Sequence, residues 1–383
     1  MSLLTGYLEK IEAWVASFVS AENWRIKTVF LCALVVVLSF FNNISPLKSF
    51  GDFYQSVFVD KTEHFLYQTV EDRAKSLTSN FDYEPYSGKE SRTFRLVAPL
   101  FVRVLGISHI SIVLYGLQLL CGLLFFYMLT GFINDLLKDK AATFYAMLGI
   151  ASIYLGVCFF IDNGGYGDLF SYFFLFLGIY FARKPYLVFI FLSLAFWNDE
   201  RAFVGSGLAF VWLWWYPQFK ANEKIKIKFN WSMVAVILAW GAWVAGRYYL
   251  MNVVGMKPTY NPDGEFAIRI QQSIDSLGFR LLWQFEGWWL LFLLAGAILW
   301  TKKEYLALAP MFIAGAASTL SAMIIYDSTR SGTFAFITIF FCLAICKRYL
   351  TERQLRLILL GIALLCFLHP MANKTHGMGF FLM

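Results

Sequence analysis

The chain has 383 residues, of which 59% are hydrophobic, 19% aromatic and only 15% charged. That composition excludes an ordinary soluble globule and fits a polytopic helical membrane protein. The formal net charge of +7 would point to nucleic acid in a soluble protein; in a membrane it is first divided between two faces, and no nucleic-acid role is expected.

Residues 2–22 set Leu4, Leu8, Ile11, Val15, Phe18 and Val19 at helical spacing opposite Glu9, Lys10 and Glu12. This predicts a cytoplasmic interfacial helix within residues 1–26. Apolar spans follow at 28–43, 109–133, 142–161, 168–182, 186–197, 202–216, 231–253, 285–300, 305–325, 333–346 and 355–369. Several are shorter than the ~20 residues of a full crossing. Together they predict an all-α bundle of about eleven crossings in a single integral domain, residues 1–383. No cleavage region follows the first span, which is expected to stay as an anchor. The six cysteines all fall in apolar stretches, which assigns them to packing rather than to disulfides or zinc.

With the N-terminus inside, the inward loops hold Lys138, Lys140, Arg183, Lys184, four lysines from Lys220 to Lys228, Lys302, Lys303, Lys347, Arg348 and Arg353. The short outward segments 162–167, 198–201, 326–332 and 370–383 hold only Arg201, Arg330 and Lys374. This asymmetry predicts N-in, C-out. It also divides the run from Pro185 to Tyr216: as one helix its 32 residues would span about 48 Å and move every later lysine to the other side. Two short crossings joined by the polar turn Asn198, Asp199, Glu200 and Arg201 keep the charges in place, with the turn set below the outer lipid surface in a wet vestibule.

Residues 44–108 form a large outer loop, and "GDFYQSVFVDKTEHFLYQTVEDRAKSL" within it reads as one or two amphipathic surface helices. "RTFRLVAPLFVRVLG" reads as a short amphipathic helix leading back to the membrane, and residues 254–284 form a second outer loop. Asp52, Arg92, Arg95, Asp162, Asp168, the 198–201 turn, Lys257, Asp327 and Arg330 all map to the outer face. Each has a structural alternative. Asp52 fits a helix cap with Gly51 as the turn before it, Asp168 fits an N-cap of "LFSYFFLFLGIYF", and Asp327 with Arg330 fits a turn-closing ion pair. As a set, cations at the edge of a bilayer match an anionic lipid phosphate, which paired arginine forks bind bidentately.

The "GDFY" acid soon after the first helix, the long loop with surface helices, "SRTFRLVAPLFVRVLG", the Asp168 helix, "NDERAF" and "YDSTRSGTFAF" resemble the GT-C superfamily of membrane glycosyltransferases. The resemblance runs from roughly residue 50 to 340. It implies a polyprenyl-phosphate-linked sugar as donor, transfer on the outer (periplasmic) face of a bacterial inner membrane with inversion, and an unidentified glycan, lipid or protein acceptor. Asp52 stands where the family has its general base. Arg92, Arg95, Arg201, Arg330 and Lys257 would hold the lipid phosphate. Asp162, Asp168, Asn198, Asp199, Glu200 and Asp327 would orient the arginines or bind sugar hydroxyls. Phe53 and Tyr54 follow Asp52, so there is no "DxD" pair for a divalent metal and no cofactor is assigned.

Two other classes fit the same features. One is a non-catalytic membrane subunit that binds lipid-linked glycan or a cell-envelope partner, and the other is a polysaccharide polymerase acting on the same lipid carriers. A transporter is disfavoured, since the spans show no inverted repeat and the inner face no matching buried charges.

Overall fold

The computed structural model describes residues 2–41, 44–83, 89, 92–257, 277–323 and 328–368. Among them every regular element is a helix. The chain begins with α1 (Ser2–Ser20) and α2 (Trp24–Phe41), then α3 (Ile44–Tyr54), which runs on into a π-helical turn at Gln55–Val59. The 44–108 segment adds α4 (Tyr67–Lys75) and α5 (Val97–Leu105), the latter ended by Gly106 in the left-handed region at φ 63°. The bundle continues with α6 (Ile110–Leu137), α7 (Lys140–Ser152), α8 (Tyr154–Ile161), α9 (Asp168–Tyr180), α10 (Pro185–Asn198), α11 (Arg201–Lys220) and α12 (Trp231–Asn252). It closes with α13 (Leu277–Phe285), α14 (Trp288–Thr301), α15 (Tyr305–Met323), the short α16 (Ser328–Gly332), α17 (Ile337–Tyr349) and α18 (Glu352–Leu368).

The described parts of the eleven apolar stretches fall mainly on these helices, although 142–161 is divided between α7 and α8 and 285–300 begins at the turn between α13 and α14. Three helices among the described residues are long and apolar enough to cross a membrane: Ile110–Leu137, Trp231–Asn252 and Tyr305–Ala322. Counting each bent pair as one span raises that to five. Their outward faces carry exposed Leu120, Leu124, Leu238, Val244, Phe312 and Ile313, a cost in water that lipid removes. The chain is a helical membrane protein.

Two devices shape the bundle. Between α7 and α8 the axis turns by 58° at Ile153, and Gly156 allows it, because a Cβ there would stand 2.5 Å from the Ile150 carbonyl oxygen. Pro217 lies inside α11. It has no N–H for the Leu213 carbonyl four residues earlier, and Asn230 Nδ2 fills that bond at 2.8 Å. The apolar spacing alone ended this span at Tyr216; with the carbonyl satisfied, the helix continues to Lys220.

The chain does break at Asp199–Glu200, and α10 and α12 run side by side while α11 returns between their ends. At one end Ser232 Oγ donates to the Ala182 carbonyl at 2.5 Å. At the other the Trp197 ring lies against Gly246, where a Cβ would come within 2.7 Å of it. The remaining polar contacts separate in the same way. Lys140 sits over Trp24 at 5.6 Å, Arg356 Nε meets Asp139 Oδ2 at 2.7 Å, Arg348 reaches the Phe219 carbonyl and Tyr349 reaches Glu304. These join the lysine-rich loops at one end. The loops carrying Arg92, Asp162, the 198–201 turn and Arg330 meet at the other.

Two local expectations are corrected. Gly51 and Asp52 lie within α3, so Asp52 does not cap a following helix. Asp168 is the first residue of α9 rather than its cap: Gly167, at φ 75°, holds the cap position and no side chain caps the helix. The Asp168 carboxylate is taken up by arginines instead.

Candidate functional site: an arginine cluster around two buried carboxylates

Residues 92–95 form a tight turn in which the Arg95 N–H donates to the Arg92 carbonyl at 3.0 Å, so both guanidinium groups leave from one place. The turn is fixed to the bundle by the Leu96 N–H, which donates to the Trp197 carbonyl at 2.8 Å. Opposite it, "DNGGYGD" wraps tightly at the head of α9. Gly165 has φ 75°, and a Cβ there would stand 2.9 Å from the Tyr67 nitrogen, so only glycine fits.

Asp168 and Asp199 are fully buried, and both are ringed by arginines. Asp168 Oδ1 takes Arg201 Nη2 at 2.6 Å and Arg95 Nη1 at 3.4 Å; its Oδ2 takes Arg330 Nε at 2.7 Å and Nη2 at 2.5 Å. Asp199 accepts from the Arg201 backbone N–H at 2.9 Å and Nε at 2.8 Å, and pairs with Arg95 Nη1 at 2.7 Å. Arg201 Nη1 also donates to Ser331 Oγ at 2.8 Å. Burial by itself would raise the Asp199 pKa, but Arg201 and Arg95 outweigh it and hold the carboxyl well below the usual range.

Arg92 differs from these. It is buried, and among the described residues its Nη1 donates only to the Gly165 and Tyr166 carbonyls, at 3.0 Å each, while its Nε has no partner. Burial, then repulsion by Arg95 and Arg330, pushes its pKa down to about 9. Tyr166 lies between two cations, 3.6 Å from Arg330 and 5.4 Å from Arg92 measured to the ring centroid. Beside them opens a small cleft lined by Thr69, Arg73, Arg92, Arg95, Tyr166 and Asn198 among others, with no carboxylate in its wall among the described residues.

The structure thus brings together Arg92, Arg95, Asp168, Asn198, Asp199, Glu200, Arg201 and Arg330. Asn198 Nδ2 donates to the Gly167 carbonyl and Ser171 Oγ, both at 2.7 Å. Glu200, partly exposed, stands 3.8 Å from Arg95 Nε. Asp162 borders the cluster, and burial above all pushes its carboxyl up to about 7, with Arg330 opposing and Asp168 adding to the rise. Lys257 is apart: it is exposed, and its backbone N–H donates to Asn80 Oδ1 at 2.8 Å, tying the 44–108 and 254–284 segments together. Asp327, most of the 254–284 loop and the 370–383 tail lie outside the described residues.

Asp52 is exposed on α3. One turn before it, Ser49 Oγ donates to Asn163 Oδ1 at 2.5 Å and holds α3 against the glycine loop. Among the described residues no hydrogen bond or ion pair joins the Asp52 carboxylate to the arginines. It lies near His64, whose pKa burial lowers and the Asp52 charge partly restores.

Arg73, Tyr166 and Ser331 were not singled out from the sequence. Arg73 is buried, donates to the Ser79 carbonyl at 2.6 Å and stacks 4.8 Å from the Phe81 ring centroid. Its only mark in the sequence is a cation on an amphipathic surface helix, where arginines are ordinarily solvated. No family model, curated protein or solved structure matches the chain.

Proposed function

We propose that the chain is a membrane glycosyltransferase of the GT-C kind in a bacterial cytoplasmic membrane, crossing eleven times with its N-terminus inside. A polyprenyl-phosphate-linked sugar places its phosphate in the arginine cleft on the outer face. The supporting observation is Arg92, a buried cation hydrogen-bonded only to carbonyl oxygens among the described residues, beside a cleft without a carboxylate. An anion is the missing partner, and the anion a bilayer delivers at that depth is a lipid phosphate. Arg92 and Arg95 hold its oxygens; Asp168, Asp199 and Glu200 fix the arginine array.

In transfer, the acceptor hydroxyl oxygen bonds to the anomeric carbon as the carbon–oxygen bond to the phosphate breaks. The hydroxyl proton passes to Asp52, and the lipid phosphate leaves with its added charge stabilised by the arginines. One displacement inverts the anomeric carbon.

One observation favours a second reading, a non-catalytic subunit that binds the same lipid-linked glycan or a cell-envelope partner. Asp168 and Asp199 are committed to arginines, and no contact among the described residues brings Asp52 to the cleft. The test is transfer from a radiolabelled polyprenyl-phosphate sugar by wild type, Asp52→Asn and Arg92→Gln. Transfer by wild type and by neither variant is expected. Activity that survives Asp52→Asn removes that residue from the chemistry. Lipid binding without transfer selects the subunit, and no binding by wild type ends the lipid-phosphate assignment.

A further inference from the structure

At the opposite, lysine-rich end of the bundle, α11 is joined to α12 by an irregular segment, "NEKIKIKFN" from Asn222 to Asn230, which ends against Trp231 at the start of α12. Lys224, Lys226 and Lys228 are all exposed. Ile225, Ile227 and Phe229 alternate with them in the chain, and Trp231 follows. Ile225 packs against the core, but Ile227, Phe229 and Trp231 stay 78%, 63% and 76% exposed. The segment is not a free loop. The Lys226 N–H donates to Gln218 Oε1 at 3.0 Å, while its carbonyl accepts from Trp214 Nε1 at 2.8 Å and Gln218 Nε2 at 3.1 Å. The strap is bolted to α11 at the Lys226 backbone, and its lysines, Ile227, Phe229 and Trp231 remain exposed. The next helix sets its depth, because Trp231 is the first residue of the candidate span Trp231–Asn252.

We propose that this strap is a docking site for anionic phospholipid headgroups of the leaflet at that end. The exposed Ile227, Phe229 and Trp231 meet the acyl boundary, where Trp and Phe settle, and the three lysines meet phosphates above it. The pinned Lys226 backbone lowers the ordering cost of lipid contact. Charge complementarity selects phosphatidylglycerol over phosphatidylcholine, whose headgroup has no net charge.

The experiment uses the full chain in neutral detergent, titrated with phosphatidylglycerol or phosphatidylcholine, with retained lipid counted by native mass spectrometry and folding checked by thermal unfolding. Lysines near an anionic surface each contribute roughly fivefold in affinity, so Lys224→Gln/Lys226→Gln/Lys228→Gln should weaken phosphatidylglycerol retention by roughly a hundredfold. Arg183→Gln/Lys184→Gln, exposed cations at the same end, should change it little. Equal retention of both lipids by wild type would overturn the proposal. So would an equal loss in the two variants, since the preference would then be spread over every cation at that end. These exposed lysines carry no packing, so unfolding of the triple variant would mean that the strap is structural and would also count against it.

Discussion

Arg330 closes on Asp168 with two nitrogens aimed at one oxygen, Nε at 2.7 Å and Nη2 at 2.5 Å from Oδ2. Arg201 and Arg95 share the other oxygen, so this one carboxylate offsets charge from three arginines. Asp168→Asn leaves those cations buried without it. The expected cost is roughly 3–5 kcal/mol, read as a large drop in the unfolding temperature of detergent-solubilised protein. An unchanged unfolding temperature would mean that water, not Asp168, balances the cluster.

Arg92 should behave in the opposite way. Its partners are carbonyls, and its charge is opposed by Arg95 and Arg330. Arg92→Gln should therefore leave stability unchanged or raise it, while weakening the binding of a short polyprenyl phosphate roughly 10- to 100-fold, the worth of a charged hydrogen bond. Calorimetric titration with farnesyl phosphate, run beside thermal unfolding, separates the two effects; loss of both together would place Arg92 with the structural arginines.

Asp162 gives the cluster a pH dependence near neutrality. Its carboxyl is pushed up to about 7, chiefly by burial, whereas an unfolded chain titrates near 4. Between those values the folded form binds the proton more tightly. Stability therefore falls as pH rises from about 4 to about 7 and levels off above that. Asp162→Asn should flatten this slope in unfolding temperatures measured from pH 4.5 to 8, and a slope that persists in the variant would assign it to another group.

The Pro217 repair makes a two-residue prediction. Asn230→Ala strips the Leu213 carbonyl of its donor and removes the cap bond to the Met233 N–H at 3.0 Å, at a cost of roughly 1–3 kcal/mol. In a Pro217→Ala background the new N–H can serve Leu213, so the same Asn230→Ala change should cost measurably less. Additive effects of the two substitutions would show that the carbonyl was never short of a donor.

Much of this architecture was legible in the chain because it follows from local chemistry. Apolar runs of helical length became helices, and the division at Asp199–Glu200 followed from the loop lysines. The arginines at 92, 95, 201 and 330 were nominated by sidedness and by the family resemblance, and Arg201 also by its place in a polar turn within an apolar run. What escaped depends on which loops meet. Nothing local distinguishes Arg73, buried against Ser79 and Phe81, from a solvated arginine on the same face of α4. Gly51 read as a turn because glycine usually breaks helices, yet α3 passes through it. Asp168 read as a cap because its neighbours fit one; its real partners are 73, 33 and 162 residues away.

Those separations also set an order of events for a chain made from its N-terminus. Arg95 already exists when Asp168 is synthesised, Arg201 follows 33 residues later, and Arg330 arrives last, 162 residues on. The carboxylate is therefore made with one of its countercharges already in the chain and the others follow in sequence, so the most polar part of the bundle is never assembled around a lone ion. The last arginine acts as a latch, and a chain truncated before α16 would present the same two aspartates held by only Arg95 and Arg201.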